Sequence, residues 1–210
     1  MRSSIIDAMP MSDAQFGLLT SAFLWTYGIL SPFAGFLADR FKRSRVVIFS
    51  LLVWSIVTWL TAYSRSFEQL LITRILMGIS EACYIPAALA LISDYHRGST
   101  RSTATGIHMT GVMVGSSLGF LGGMLAESHT WNFAFMFFGV IGIFYSILVA
   151  FFLKDPPADE TATKITEKSV SEVNFFSGVK DLFKKGPFLL MLGYWGLLGV
   201  VGWLVMGWLP

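Results

Sequence analysis

Six apolar runs, each long enough to cross a lipid bilayer, constrain this chain more than any other feature. They fall at residues 14–38, 46–64, 69–93, 102–126, 130–153 and 187–210. A hydrocarbon core about 30 Å thick asks for about 20 mostly apolar residues per helical crossing. The first run is uncharged throughout and bracketed by Asp13 and Asp39, and the second lies between Arg45 and Arg65. Backbone amides have no water to bond in lipid, so each run must be helical or part of a closed barrel. Barrel strands alternate over about ten residues, whereas these runs are continuously apolar. The expected fold is all-α, a polytopic transmembrane helical bundle with six spanning helices. A charged fraction of 13%, against about 25% in ordinary soluble domains, agrees.

Basic residues between the runs set the orientation. Arg40, Lys42, Arg43 and Arg45 follow the first run, Arg97 and Arg101 follow the third, and six lysines lie in 154–186. These 12 share one side of the membrane, and the other side has only Arg2 and Arg65. The basic loops are expected in the cytoplasm and both chain ends outside, in a multi-pass protein of the cell (inner) membrane. The clusters form no continuous basic stripe with aromatic platforms, so nucleic acid is not an expected partner. Cys83 is the only cysteine, which excludes an intrachain disulfide. The start, MRSSIIDAMPM, is too short in apolar residues for a signal peptide.

The linker 154–186 opens as the polar, proline-containing DPPADETATKITEKS. Its second half places Val173, Phe176, Val179, Leu182 and Phe183 near helical spacing, as in an amphipathic helix lying on the inner leaflet. The expected organisation is therefore 1–13 outer remnant, 14–153 five-helix portion, 154–186 cytoplasmic linker and 187–210 final helix.

The most specific motif is GFLADRFKRSR at 35–45. It resembles the G-x-x-x-D-R-x-G-R-R signature of the major facilitator superfamily, found in the loop after that family's second helix. Gly35, Asp39, Arg40 and Arg43 match; Lys42 stands where glycine is usual, and Ser44 where a second basic residue often stands. A carboxylate at a helix end can meet a neighbouring helix N-terminus, and arginines beside it can clamp carboxylates. RILMG at 74–78, DYHRGSTRSTATG at 94–106, TWNFAF at 130–135, LKDPP at 153–157 and WLP at 208–210 follow the family's order. RILMGISEACYIP (74–86) is similar to the Spinster-like branch, with the anion:cation symporter branch next. The first run here aligns with the family's second helix and the last with its seventh. The resemblance thus implies the N-terminal half plus the seventh helix, without the first: a fragment of a twelve-helix transporter, not expected to transport alone. The missing helices of the parent are expected partners.

Arg74 and Glu81 lie inside the third run. Ionisable groups there cost about 2.5–3.5 kcal/mol each on insertion scales and usually face a bundle interior or wet cavity. Seven residues apart, they sit about 10.5 Å along one helix face. They could pair with each other as a packing lock, or hold a substrate or proton between them; burial and the arginine act on the carboxyl in opposite senses. The resemblance implies that this helix lines the central cavity, that Glu81 is a proton-coupling group and that Arg74 is an anion or coupling partner. His108 is a further coupling candidate that could titrate near neutral pH, although its plainer reading is a histidine bonded to a neighbouring helix.

Gly111, Gly115, Gly119 and Gly123 form a row at i+4, the spacing that lets membrane helices approach closely. GSSLG at 115–119 fits a nucleophile pattern, but that pattern needs a strand–turn–helix context, so no catalytic residues and no enzyme are expected. Neither a nucleotide-binding loop nor a metal-ligand cluster is present, and no cofactor or metal is expected. The implied function is alternating-access secondary transport, proton- or cation-coupled, of a small organic anion. The alternatives are a truncated membrane protein that does not transport and an intramembrane enzyme.

Overall fold

The computed structural model describes residues 2–96, 98–156 and 175–208, with backbone alone for 203–208. Arg97, the lysines at 164 and 168, Val173 and the last two residues of the WLP segment lie outside the described residues. The chain divides into two units, 1–157 and 158–210.

In the first unit α1 (Arg2–Ala8) precedes α2 (Asp13–Arg40), α3 (Arg43–Thr61), α4 (Phe67–Ala82), α5 (Tyr84–Tyr95), α6 (Thr100–Ser117), α7 (Phe120–Ser128) and α8 (Trp131–Phe152). Helix starts follow local chemistry. Ser12 and Gln15 close a capping box at α2, with each side chain bonding the other's backbone N–H. Ser66 caps α4 and Thr130 caps α8 through the N–H three residues on. The short helix α1 occupies a stretch that the sequence pattern presents only as loop.

Two of the apolar runs are single spans broken in the middle. α4 and α5 together cover Phe67–Tyr95, and α6 and α7 cover Thr100–Ser128. Pro86 explains the first break: it has no N–H to give to the carbonyl of Ala82, so the helix restarts after Cys83. The second break falls at Leu118 and Gly119, whose N–H groups bond to Val114 and Ser116. Five spans in this unit meet the length and apolarity of a membrane crossing.

The packing is inverted relative to a water-soluble protein. Buried positions are small or hydroxylated, among them Ala34, Ala38, Ser50, Ser55, Ala82 and Ala87. Large apolar side chains point outward, with Trp25 72% and Phe152 82% exposed. A surface of this kind suits lipid, where small residues bring backbones together and bulky ones meet acyl chains. Two clusters mark the ends of the bundle. Ile5, Met9, Leu19, Leu70, Ala126, Trp131 and Ala134 gather at one end; Ala38, Val47, Ala87 and Ala88 gather at the other. The second is the basic end, where α2 stops and α3 begins.

Close helix contacts run through glycines other than the expected row. A methyl on Gly78 of α4 would meet the Phe23 carbonyl of α2 at 2.8 Å, and one on Gly139 of α8 would meet the Trp59 backbone nitrogen of α3 at 2.5 Å. Gly142 likewise abuts Ser55. A methyl added at Gly111, Gly115 or Gly123 would find nothing within 4 Å, and one at Gly119 would meet only Ser116 of its own turn. The row is therefore an open face among the described residues. α6 buries no residue at all.

The second unit contains α9 (Phe175–Phe183) and α10 (Gly186–Trp208). The two axes turn through 86°, and taken as a bent pair they supply a sixth candidate span. α10 carries no charged residue, whereas α9 carries Lys180 and Asp181 beside exposed Phe176 and Phe183.

Candidate functional site

Glu81 sits at the middle of the span Phe67–Tyr95, and Tyr27 at the middle of α2. α2 and α4 pack closely at this level: a methyl on Gly78, three residues before Glu81, would meet the Tyr27 amide nitrogen at 3.2 Å. Glu81 is half-buried and makes no hydrogen bond or ion pair among the described residues. Three residues on, at the start of α5, Tyr84 places its ring 6.0 Å from that of His108 on α6. The Tyr84–His108 pair thus joins α5 to α6 three residues beyond Glu81.

His108 Nε2 is buried and has no hydrogen-bond partner among the described residues. An unsatisfied buried ring nitrogen is costly.

Arg74 lies two turns from Glu81, about 10.5 Å toward the opposite end of the bundle. It does not pair with Glu81. One guanidinium nitrogen donates to Thr61 Oγ1 at 3.2 Å and another meets Met77 Sδ at 3.6 Å. The guanidinium carbon stands 5.3 Å from the centre of the Phe135 ring. Thr61 can accept because its own hydroxyl hydrogen goes to the Val57 carbonyl at 2.8 Å. Every partner is neutral, so no carboxylate among the described residues cancels the arginine's charge.

The motif at the basic end forms a second constellation. Arg43 bridges two carboxylates: Asp39 at 3.4 Å on α2 and Asp94 at the end of α5, with a further bond to the Ala90 carbonyl at 3.3 Å. Planar guanidinium geometry with several donors suits such bridging. Arg40 stands apart, 4.4 Å over the Phe36 ring, and the Gly35 Cα faces open space. The carboxylate that meets a helix N-terminus is Asp155, not Asp39: it accepts from the Ser44 amide at 3.0 Å and the Ser44 hydroxyl at 2.6 Å. Tyr95 adds a bond to the Lys154 carbonyl at 2.7 Å. Asp94 and Asp155 do not stand out in the sequence, because their partners lie far away in the chain. Ser44 has a structural reason to be serine.

The GSSLG segment runs through the end of α6, where Ser117 Oγ bonds back to the Met113 carbonyl at 2.9 Å. That hydroxyl is not presented as a nucleophile. Among the described residues no three His, Cys, Asp or Glu side chains converge as a metal site.

Known proteins are similar to this chain. Protein spinster homolog 1 of Xenopus tropicalis is 30% identical over 192 residues, covering 90% of this chain and 36% of that protein. The probable sulfoacetate transporter of Cupriavidus necator is 27% identical over 175 residues, covering 83% of this chain and 40% of that protein. The crystal structure of a bacterial homolog to the human lysosomal transporter Spinster, inward-facing and unoccupied, superposes with a TM-score of 0.64. It is 28% identical and matches 73% of this chain against 38% of its own. The chain thus spans well under half the length of these relatives. The Major Facilitator Superfamily model matches residues 3–210, and with its apolar spans and inverted packing the chain belongs to that superfamily, as a multi-pass integral membrane protein.

Proposed function

We propose that this chain forms part of a secondary transporter that works by alternating access, moves a small organic anion and is driven by a proton or cation. The observation that carries the reading is Glu81: a carboxyl at the middle of a membrane-length span, without a counter-ion among the described residues, three residues before Tyr84, whose ring stands 6.0 Å from that of His108. A group so placed can gain or lose a proton, or take a cation, without first breaking a salt bridge. Arg74, whose charge no carboxylate among the described residues cancels, supplies the attraction for an anion about 10.5 Å away on the same helix. The sulfonate and carboxylate carried by the substrate named for one relative are consistent with that charge. Arg43, Asp39 and Asp94 act as a latch at the basic end, which faces the cytoplasm in this reading. Residues 1–13 are an outer segment, 14–153 belong to one bundle, 154–186 form a cytoplasmic linker and 187–210 begin the other bundle.

The test uses a chimera in which residues 3–210 replace the matching segment of the bacterial Spinster homolog, reconstituted in liposomes beside the 210-residue chain alone. Anion uptake driven by a pH gradient is expected from the chimera. Glu81→Gln should abolish that uptake and spare exchange at equal pH, while Arg74→Ala should weaken both. Uptake that ignores Glu81→Gln would refute the coupling role. Uptake by the chain alone would instead refute the view that it acts only as part of a larger bundle.

A further inference from the structure

α2 and α3 scarcely touch along their length, yet both pack on α4. Between them lies a lateral cavity of about 660 Å³, within the range of about 300–1,000 Å³ that holds small ligands. Its walls are Phe41 at the end of α2, Phe49, Val53 and Val57 on α3, and Cys83 at the end of α4. Ser50 is also in the wall, but its hydroxyl is spent on the Ser80 carbonyl, so the surface presents almost nothing polar. At the basic end the lining changes to Arg45, an exposed residue without an ion-pair partner among the described residues. The neighbouring Arg43 is already taken by Asp39 and Asp94.

We propose that this groove holds one acyl chain of an anionic phospholipid, with Arg45 binding the headgroup at the basic end. Length supports this occupant. From Arg45 to Val57 is twelve residues, about 18 Å of helix, and one leaflet of hydrocarbon is about 15 Å deep, half of the about 30 Å core. Charge supports it too: a basic side chain at the mouth of an apolar slot between helices matches an anionic headgroup above a fatty tail. The tail itself gains little on entering the groove, because lipid is as apolar as the groove wall. Discrimination between lipids must therefore come from Arg45, and net headgroup charge is the property it reads.

Cys83, the only cysteine, lines the groove and reports its occupancy. The purified 210-residue chain in detergent is alkylated with N-ethylmaleimide while dioleoyl-phosphatidylglycerol or dioleoyl-phosphatidylcholine is added. Phosphatidylglycerol at about four times its Kd should slow alkylation about fivefold, since the unoccupied fraction is 1/(1 + [L]/Kd); phosphatidylcholine should slow it far less. Arg45→Gln should remove the difference between the lipids without changing the lipid-free rate, Arg45→Lys should retain it, and Arg101→Gln at the same end should leave it intact. Equal protection by both lipids, or protection that survives Arg45→Gln, would overturn the proposal. So would protection by inorganic phosphate alone, which would make the ligand a soluble anion. Protection that rises with protein concentration and not with lipid would assign the groove to a second copy of the chain.

Discussion

Ser44 and Asp155, 111 positions apart in sequence, are joined twice: the amide of Ser44 donates to one carboxylate oxygen and its hydroxyl to the other. The pair fixes the end of α8 onto the first turn of α3. It places a negative charge where the exposed N–H groups of that helix point. α3 has no capping side chain of its own, since Lys42 at the cap makes no such bond, so Asp155 caps it from a distance.

Removing that carboxylate should therefore behave like removing a helix cap. Asp155→Ala is expected to cost about 1–2 kcal/mol, the upper part of the range for lost caps, because the buried Ser44 hydroxyl also loses its partner. Asp155→Asn keeps an acceptor and should cost less. Reversible unfolding of the chain in mixed micelles measures both; equal stability of all three proteins would remove the capping role.

Glycine substitutions separate the two classes of glycine in the bundle. Gly139→Ala forces a methyl into the backbone of Trp59, and overpacking of this kind typically costs about 1–3 kcal/mol. Gly115→Ala meets nothing within 4 Å and should change the stability of the 210-residue chain by less than about 0.5 kcal/mol. Unfolding midpoints that rank the two the other way round would show the i+4 row to be the packing face after all.

The spans are legible in sequence because lipid imposes one simple rule on long apolar runs, and α2, α3 and α8 follow it. The breaks at Cys83 and Leu118 are hidden, although Pro86 and Gly119 stand there to signal them, because hydropathy runs across both without a change. The capping box Ser12–Gln15 is a local signal for the start of α2, one that an apolar run beginning at Ala14 overshadows. At the basic end, Asp39 and Arg43 are legible as an i,i+4 pair. Asp94 and Asp155 are not, because their bonds span 51 and 111 positions and no local period encodes a partner that distant. The glycine row shows the converse: spacing identifies a smooth face and says nothing of what lies against it.

Orientation is open to a direct experiment, and the structure guides the choice of positions. Ser44 is buried and bonded to Asp155, so a probe there would break what it reports on. Ser99 and Ser128 are exposed at opposite ends of one broken span and carry no charge. In a Cys83→Ser background, Ser128→Cys should react with an impermeant thiol reagent on intact cells, and Ser99→Cys should react only after the membrane is opened. The reverse pattern would place the basic end outside.

Arg74 and Thr61 offer the sharpest test of how the bundle holds a charge inside it. The guanidinium relies on Thr61, which is fully buried and whose hydroxyl is oriented by the Val57 carbonyl. Thr61→Val keeps the shape and removes the acceptor; Arg74→Met keeps much of the stem and removes the charge. If the hydrogen bond is a real tie between α3 and α4, the double mutant should be less destabilised than the sum of the singles. The coupling should be about 0.6–1.7 kcal/mol, the scale measured for side-chain hydrogen bonds between membrane helices. Thr61→Val alone should also leave Arg74 with only Met77 and the Phe135 ring, so the single substitution should cost more in the wild-type background than beside Arg74→Met. Strict additivity in unfolding free energy would mean that Arg74 stands in its place through packing and the aromatic contact, with Thr61 a bystander.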